Sequence, residues 1–462
     1  MTASAAGPGP ARSPLAAGWG RASLRGLFAF AVLAGLASVA AVGISLLDLP
    51  GLSLGEVLRI GGLYLAVFHR VPILFSAEES ALGGLVDAPV GTGAAQFHAE
   101  VAFAPLAATA LAAWLLWRAG SAVATSVGGG PIQRTLHGAK VAPAYAAAVY
   151  LVSLLSHVGV SRVEAITSGV LDVRASAPHA FLLPLALAAL AGAGGGWWTA
   201  SEEPESRRLR GMLAGGWTML VVGIGLAYAG LVVAGIVRPD GPEAVLTPTT
   251  GGYYRVVFDR PDVGAVVLVH HVAVAPNEGA WALTPAMGGC LGVDPDSDVA
   301  DPFLCYGRFP LETPFGAPSP SSWLQPSEWI RFGDAPVAYF LFLIAPGAAA
   351  LIGGWRAVSA AGDADGSVQR AVVLGAGAGV VFSALLAVTS WAGSVSAWGS
   401  LTVGLATDEG AVRIGPDLRA TVLLSLAWGV VAGALGALAT SLRGGRSSRR
   451  PAPPAGSSRP RG

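Results

Sequence analysis

Few residues in this chain could do chemistry, and those few gather in three places. Cys290 and Cys305 are the only cysteines. Both fall in the longest polar stretch between apolar segments, and in an oxidising compartment such a pair forms a disulfide. Closing that loop would stabilise the fold by about 3 kcal/mol in the chain-entropy description. A metal site would need further ligands, and the nearest histidines, His270 and His271, diverge on a strand or a helix. The second place is an apolar piece at 54–75 that carries Glu56, Arg59, His69 and Arg70. On a helix Glu56 and Arg59 share a face and can pair. The third is the phrase APNEGAW at 275–281, which holds Asn277, the only asparagine, beside Glu278. Pro276 and Asn277 predict a break in a helix or strand, with the Asn amide bonding backbone groups that the break frees. At membrane depth a break must line a cavity or pack against protein. Arg59, His69, Arg70, Asn277 and Glu278 are therefore the residues expected at a cavity or structural break. The chain contains no Walker loop, no His-Glu-x-x-His zinc helix and no Gly-x-Ser-x-Gly elbow. It offers no catalytic residue, no metal set and no cofactor motif.

What must position these groups is a membrane bundle. With 53% hydrophobic residues, 12% charged residues and 64 glycines, the chain lies far from the soluble balance of about 25% charged. Eight apolar stretches, at 26–47, 101–118, 139–158, 179–199, 211–236, 336–355, 371–392 and 418–441, each approach the roughly 20 residues that cross a bilayer. A net charge of zero leaves no basic face to neutralise phosphates, so nucleic acid is excluded as a partner. Lys140 is the only lysine and Asn277 the only asparagine, the signature of a GC-rich, actinobacterial type of genome. Residues 26–47 are too long for the apolar core of a signal peptide and read as a retained first helix.

The positive-inside rule then sets orientation. With both termini in the cytoplasm of a bacterial plasma membrane, most of the 28 Lys and Arg residues lie inside, including those of the tail. None of the eight stretches has a charge near its centre. Residues 54–70 are expected to form an interfacial or re-entrant helix, and 263–275 a re-entrant helix or a strand. Small-residue spacings, Gly211-xxx-Gly215, Gly429-xxx-Gly433 and the GAGAG run at 375–379, suit close helix packing in lipid. Trp114, Trp117, Trp197 and Trp198 read as an interfacial belt. No internal repeat is evident, which argues against a transporter built from inverted repeats.

The predicted fold is an all-α polytopic membrane protein, a bundle of about eight transmembrane helices with a small extracytoplasmic α+β/loop insertion. Residues 1–25 form a disordered cytoplasmic N-terminus, and 26–236 hold the first five spans. Residues 237–335 are the insertion, with a β-like YYRVVF at 253–258 and turns at Asp294-Pro295, Asp301-Pro302 and Thr313-Pro314. Residues 336–441 hold three more spans, and 442–462 form a disordered basic cytoplasmic tail. The expected partners are the lipid bilayer and membrane or envelope proteins.

Several short motifs, taken together, resemble a family. They are Pro276 and Asn277 followed by Trp281, the glycines Gly288 and Gly289, and a late Gly415-Pro416-Asp417 ahead of a final Gly/Ala helix. The pieces 54–70 and 106–120 are similar as well. Over most of its length the chain resembles the DUF6350 family of uncharacterised actinobacterial multi-pass membrane proteins. That resemblance implies a bacterial inner-membrane protein with a role in the envelope or in cell division, and no catalytic residues. A non-enzymatic scaffold or accessory protein is the expected function. The alternative is a small-solute transporter or channel with a cavity near 54–75 and 275–281.

Overall fold

The computed structural model describes residues 16–48, 53–78, 95–160, 171–200, 204–237, 261–295, 301–305, 308–310, 332–334, 341–362, 367–403 and 406–447. Among them, eight helical segments are long and apolar enough to cross a membrane. They are α1 (Trp19–Asp48), α3 (Leu106–Val127), the pair α4 (Pro131–Ala139) and α5 (Ala142–Leu155), α6 (Ala177–Trp198), α7 (Pro204–Val237), α9 (Ile344–Ala361), α10 (Val368–Gly393) and α11 (Leu418–Ser447). Each expected apolar stretch overlaps one of these. The last helix runs past the expected end of the final span, so the basic tail begins helical. Helix α3 extends to Val127, which puts Arg118 in its interior rather than at its end. However, Trp117 packs on Trp198, the last residue of α6, with ring centroids 5.5 Å apart. Arg118 is thus level with the end of the neighbouring span.

Two further helices do not appear among the spans. Helix α2 (Leu54–Val67) is about 21 Å long at 1.5 Å per residue, too short to cross. Ser53 and Glu56 close a capping box at its start, so the Glu56 carboxylate caps a helix end. The apolar piece at 54–75 is therefore not one element, because its end is strand β1 (Ile73–Glu78). Helix α8 (Pro261–Ala286) continues unbroken through Pro276 and Asn277. The expected break there is absent: the surrounding protein holds both flanking turns, which lets a helix keep a proline in its interior.

The stretch 237–335 is not the only source of strand. A ten-stranded antiparallel sheet runs in the order β3-β4-β1-β2-β9-β10-β5-β6-β7-β8. Its members are β1, β2 (Ala95–Ala102), β3 (Val158–Val160), β4 (Leu171–Ala175), β5 (Cys290–Pro295), β6 (Asp301–Cys305), β7 (Arg308–Pro310), β8 (Phe332–Asp334), β9 (Val395–Val403) and β10 (Ala406–Pro416). The residues around Asp294 and Asp301 are thus strand rather than turn. The strands come from every second connection between spans, so all lie on one side of the bundle. The other connections are short, such as Gly128–Gly130, where Gly128 and Gly129 take positive φ. Residues 253–258 and Thr313-Pro314 lie outside the described residues. The sheet strands alternate polar and apolar, as in Gln96-Phe97-His98-Ala99-Glu100-Val101, which is the period of a sheet with one wetted face. On the apolar face Ile73, Val173 and Ala175 pack with Ala66 and Val67 of α2.

Behind this order lies a tandem repeat. Each half is a span, a non-spanning helix, strands, two spans, a β-hairpin and a last span. The first half runs from α1 to α6 and the second from α7 to α11. Within the sheet, β3-β4-β1-β2 is followed by β9-β10-β5-β6, the same order of equivalent strands. The correspondence holds at single residues. After α2, the N–H groups of His69, Arg70 and Val71 donate to the carbonyls of Ala66, Val67 and Ala66. After α8, those of Met287, Gly288 and Gly289 donate to Thr284, Pro285 and Thr284. Both are Schellman-type helix ends. Ser176 N–H then donates to Pro72 and Asp417 N–H to Cys290, again in equivalent places. Four spans per half give both halves the same orientation, so the repeat is direct. The chain is thus internally repeated, although no repeat is evident in its sequence.

Each half has its own apolar core, closed by glycines. A methyl group added to Gly120 or Gly138 would overlap the backbone of Gly192, and one added to Gly354 or Gly375 would overlap that of Gly433. Gly379 meets Gly429 in the same way. In lipid, where apolar surface gains nothing by leaving the solvent, such close backbone approach drives helix association. The spacings at Gly429, Gly433 and 375–379 are used as the sequence suggested.

Candidate functional site

The residues singled out in the sequence converge on the seam between the halves. Links that cross it include the pairing of β2 of the first half with β9 of the second, and α8, which reaches the first half through Asn277. The Asn277 Oδ1 accepts from the N–H of Leu106 at 2.8 Å, at the start of α3. Its Nδ2 donates to the carbonyl of Ala104 at 2.8 Å and more weakly to that of Gly393 at 3.5 Å, the end of α10. Trp281, one turn on, donates to the same Gly393 carbonyl. Asn277 is 3% exposed, and its amide satisfies backbone groups that lipid cannot. The expected role of bonding stranded backbone groups is therefore filled. They belong to other helices, not to a break in its own. Glu278, the next residue, is also buried.

Arg70 approaches the seam from the first half. Its backbone takes φ 59°, the only positive φ of a non-glycine residue among the described residues. Gly288 occupies the same turn in the second half with φ 104°. Left-handed backbone costs a residue with a Cβ about 1 kcal/mol or more, so the arginine is held there at a cost that glycine avoids. Its guanidinium donates to the Trp391 carbonyl and to Ser396 Oγ at 3.0 Å, and lies 4.3 Å from the centre of the Trp391 ring. Arg413, on β10, donates to Ser394 Oγ at 3.3 Å. Ser396 and Arg413 are cross-strand partners, so the two guanidiniums meet around one short turn. Burial, and secondarily the Arg413 charge, pushes the Arg70 pKa down to about 10. Arg70 remains a cation at neutral pH.

His69 faces into the first half. Its Nδ1 lies 2.8 Å from the Leu65 carbonyl and must carry the proton that donates there. Nε2 then accepts from the Tyr145 hydroxyl at 2.5 Å. This arrangement suits a neutral ring, and burial lowers the His69 pKa from 6.5 to about 4. His69, Arg70 and Asn277 thus meet one structural region, the junction of bundle and sheet. Arg59 does not join them and is exposed on α2. His157 instead pairs with Asp172 on the sheet.

Sequence reasoning missed Tyr145, Trp391, Ser394, Ser396 and Arg413, the groups that complete the site. The alternation in β9 and β10 was the available signal for Ser396 and Arg413. Cys290 and Cys305 stand directly opposite each other in the register of β5 and β6. Among the described residues, no group of three or more metal-ligating side chains comes together. The assembly can hold backbone ends, stack a cation on an indole and present two guanidiniums. The chain matches no protein-family profile, no curated protein and no solved structure.

Proposed function

We propose that this protein is a non-enzymatic scaffold or accessory protein of the bacterial plasma membrane, serving envelope or division machinery, with both termini cytoplasmic. The observation that carries this reading is the pooling of four separate connections into one sheet on one side of the bundle. A continuous strand platform joined to eight spans is suited to holding another envelope protein. The glycine-sealed helix contacts support the same reading over a solute path, since backbone-to-backbone packing leaves no polar lumen at those levels. Arg134 and Lys140 reach carbonyls at helix ends opposite the sheet, at Thr199 and Ala17. Arg210 and Arg118 lie over Trp198 and Trp114 there, which favours that side as cytoplasmic. The sheet side is then oxidising, and the facing pair Cys290 and Cys305 is assigned as a disulfide.

The polar face of the sheet is the partner surface in this reading. His98 and Glu409 lie in one row across Ser400, and Trp398, 41% exposed, lies in the adjacent row of the same face. The test is affinity capture of the tagged full-length protein after in-cell cross-linking. Partners bound by the wild type should be lost with His98→Ala/Trp398→Ala/Glu409→Ala while the melting temperature is kept. Unchanged partners, together with solute flux in proteoliposomes that Asn277→Leu abolishes, would favour the transporter or channel reading instead.

A further inference from the structure

We propose that Arg70 and Arg413, with the hydroxyl of Ser396, form a binding site for a phosphoryl anion at the seam. Four observations converge on it. The two guanidiniums come from different halves, 70 and 413, yet both donate into the same Ser394–Ser396 turn. The described partners of Arg70 are all neutral: a carbonyl, a hydroxyl and an indole ring. Each of its two terminal nitrogens makes one of these bonds, which leaves further N–H groups of the fork to donate. The register places Arg413 directly beside Ser396, which accepts from Arg70, so the two cations share one row. Two guanidiniums in one row suit a phosphoryl anion.

The position supports the same ligand. Helix α10 crosses as far as Gly393, so the turn that follows it sits where lipid headgroups begin. Trp391, on which Arg70 stacks, is 45% exposed at that level. Ser396 and Arg413 are partly exposed, which gives an approach from outside. Arg–phosphate pairs are bidentate and favour this planar fork over a point charge.

The repeat shows that the fold does not require this arginine. The equivalent turn closes with Gly288, and the same three backbone hydrogen bonds form without a side chain. A charged residue retained in left-handed backbone, where glycine closes the same turn, marks a functional position.

The test uses the full-length protein in a phosphate-free sugar detergent. Short-chain phosphatidylglycerol and inorganic phosphate are the probes, read by thermal shift and by native mass spectrometry. Wild type should bind the lipid with saturation, and Arg70→Gly and Arg413→Ala should each weaken that binding tenfold or more. Arg70→Gly should melt close to wild type without ligand. If it does not, Arg70→Lys, which keeps the charge and loses the fork, takes its place and should also lose binding. Saturable binding of inorganic phosphate alone would assign the site to a soluble phosphoryl compound rather than a headgroup. Absence of binding to wild type by either probe, or binding unchanged in the variants, would overturn the proposal.

Discussion

After α2 the chain turns through His69 and Arg70, and after α8 it turns through Met287 and Gly288, with the same backbone hydrogen bonds in both places. Tyr145, buried in the first half, has Phe382 as its buried counterpart in the second, and Ser153 has Ser390. The first half thus carries a buried polar pair and a strained arginine where the second carries apolar atoms and glycine. What the repeat preserves is backbone geometry and close approach: Gly61 against Ser38 matches Gly279 against Tyr228, and Gly192 matches Gly433. What diverges is the chemistry at the seam. The groups that build the fold are thus separable from those added to it, and each half serves as a control for the other.

The largest effect is expected at the glycine contacts shared by both halves. Gly433→Leu should destabilise by about 3 kcal/mol or more, because the side chain meets backbone atoms of Gly375 that cannot give way. Gly192→Leu should do the same in the first half. Gly194→Leu, where an added methyl meets only open space, should be near neutral. Thermal melts in detergent measure all three, and equal melting of Gly194 and Gly433 variants would break the comparison.

Nearly as large is an acid sensitivity confined to the first half. The His69 pKa is depressed in the folded state, so the unfolded chain binds more protons between pH 6.5 and about 4. Stability is therefore fully present above pH 6.5 and is lost as pH falls towards 4, by about 3 kcal/mol in all. His69→Met, which installs the second half's residue, should flatten that part of the pH–stability curve. A curve as steep as wild type would show that His69 is not the group responsible.

Asn277→Leu should cost about 2 kcal/mol, since the buried N–H of Leu106 and carbonyl of Ala104 lose their partner. The loss belongs to the seam, so melting should become broader or split as the halves uncouple. A single, equally sharp transition would mean that the sheet alone couples them. The smallest change is Tyr145→Phe, which copies Phe382 and removes one hydrogen bond to His69. About 1 kcal/mol is expected, and no change in the shape of the transition.

The spans were legible in the sequence because hydrocarbon dictates length and composition together, and the eight long apolar helices leave little choice there. The sheet was not, because its strands are short and pair across the whole chain: Ala99 of one loop meets Gly399 of another. Pattern reading sees each as a loop. The alternation in 95–102 and 171–175 was visible in hindsight, but no local signal tells which strand is the neighbour. The repeat was hidden for a related reason. Turn geometry and glycine contacts are repeated, whereas Arg70 answers to Gly288 and Tyr145 to Phe382. Of the site, His69, Arg70 and Asn277 stood out as polar residues in apolar surroundings. Arg413 and the serines did not, since an arginine in a polar loop carries no such contrast.

The central claim is that two directly repeated four-span halves share one continuous sheet through β2 and β9. The most direct measurement places cysteines at facing positions of that join, Ala99→Cys and Gly399→Cys, in the full-length protein in membranes. Mild oxidation followed by peptide mass spectrometry should find the 99–399 linkage within one chain. In separate samples, His98→Cys on the exposed polar face should react with a membrane-impermeant thiol reagent added from outside. Absence of the intramolecular linkage, or labelling only from the cytoplasmic side, would contradict the account.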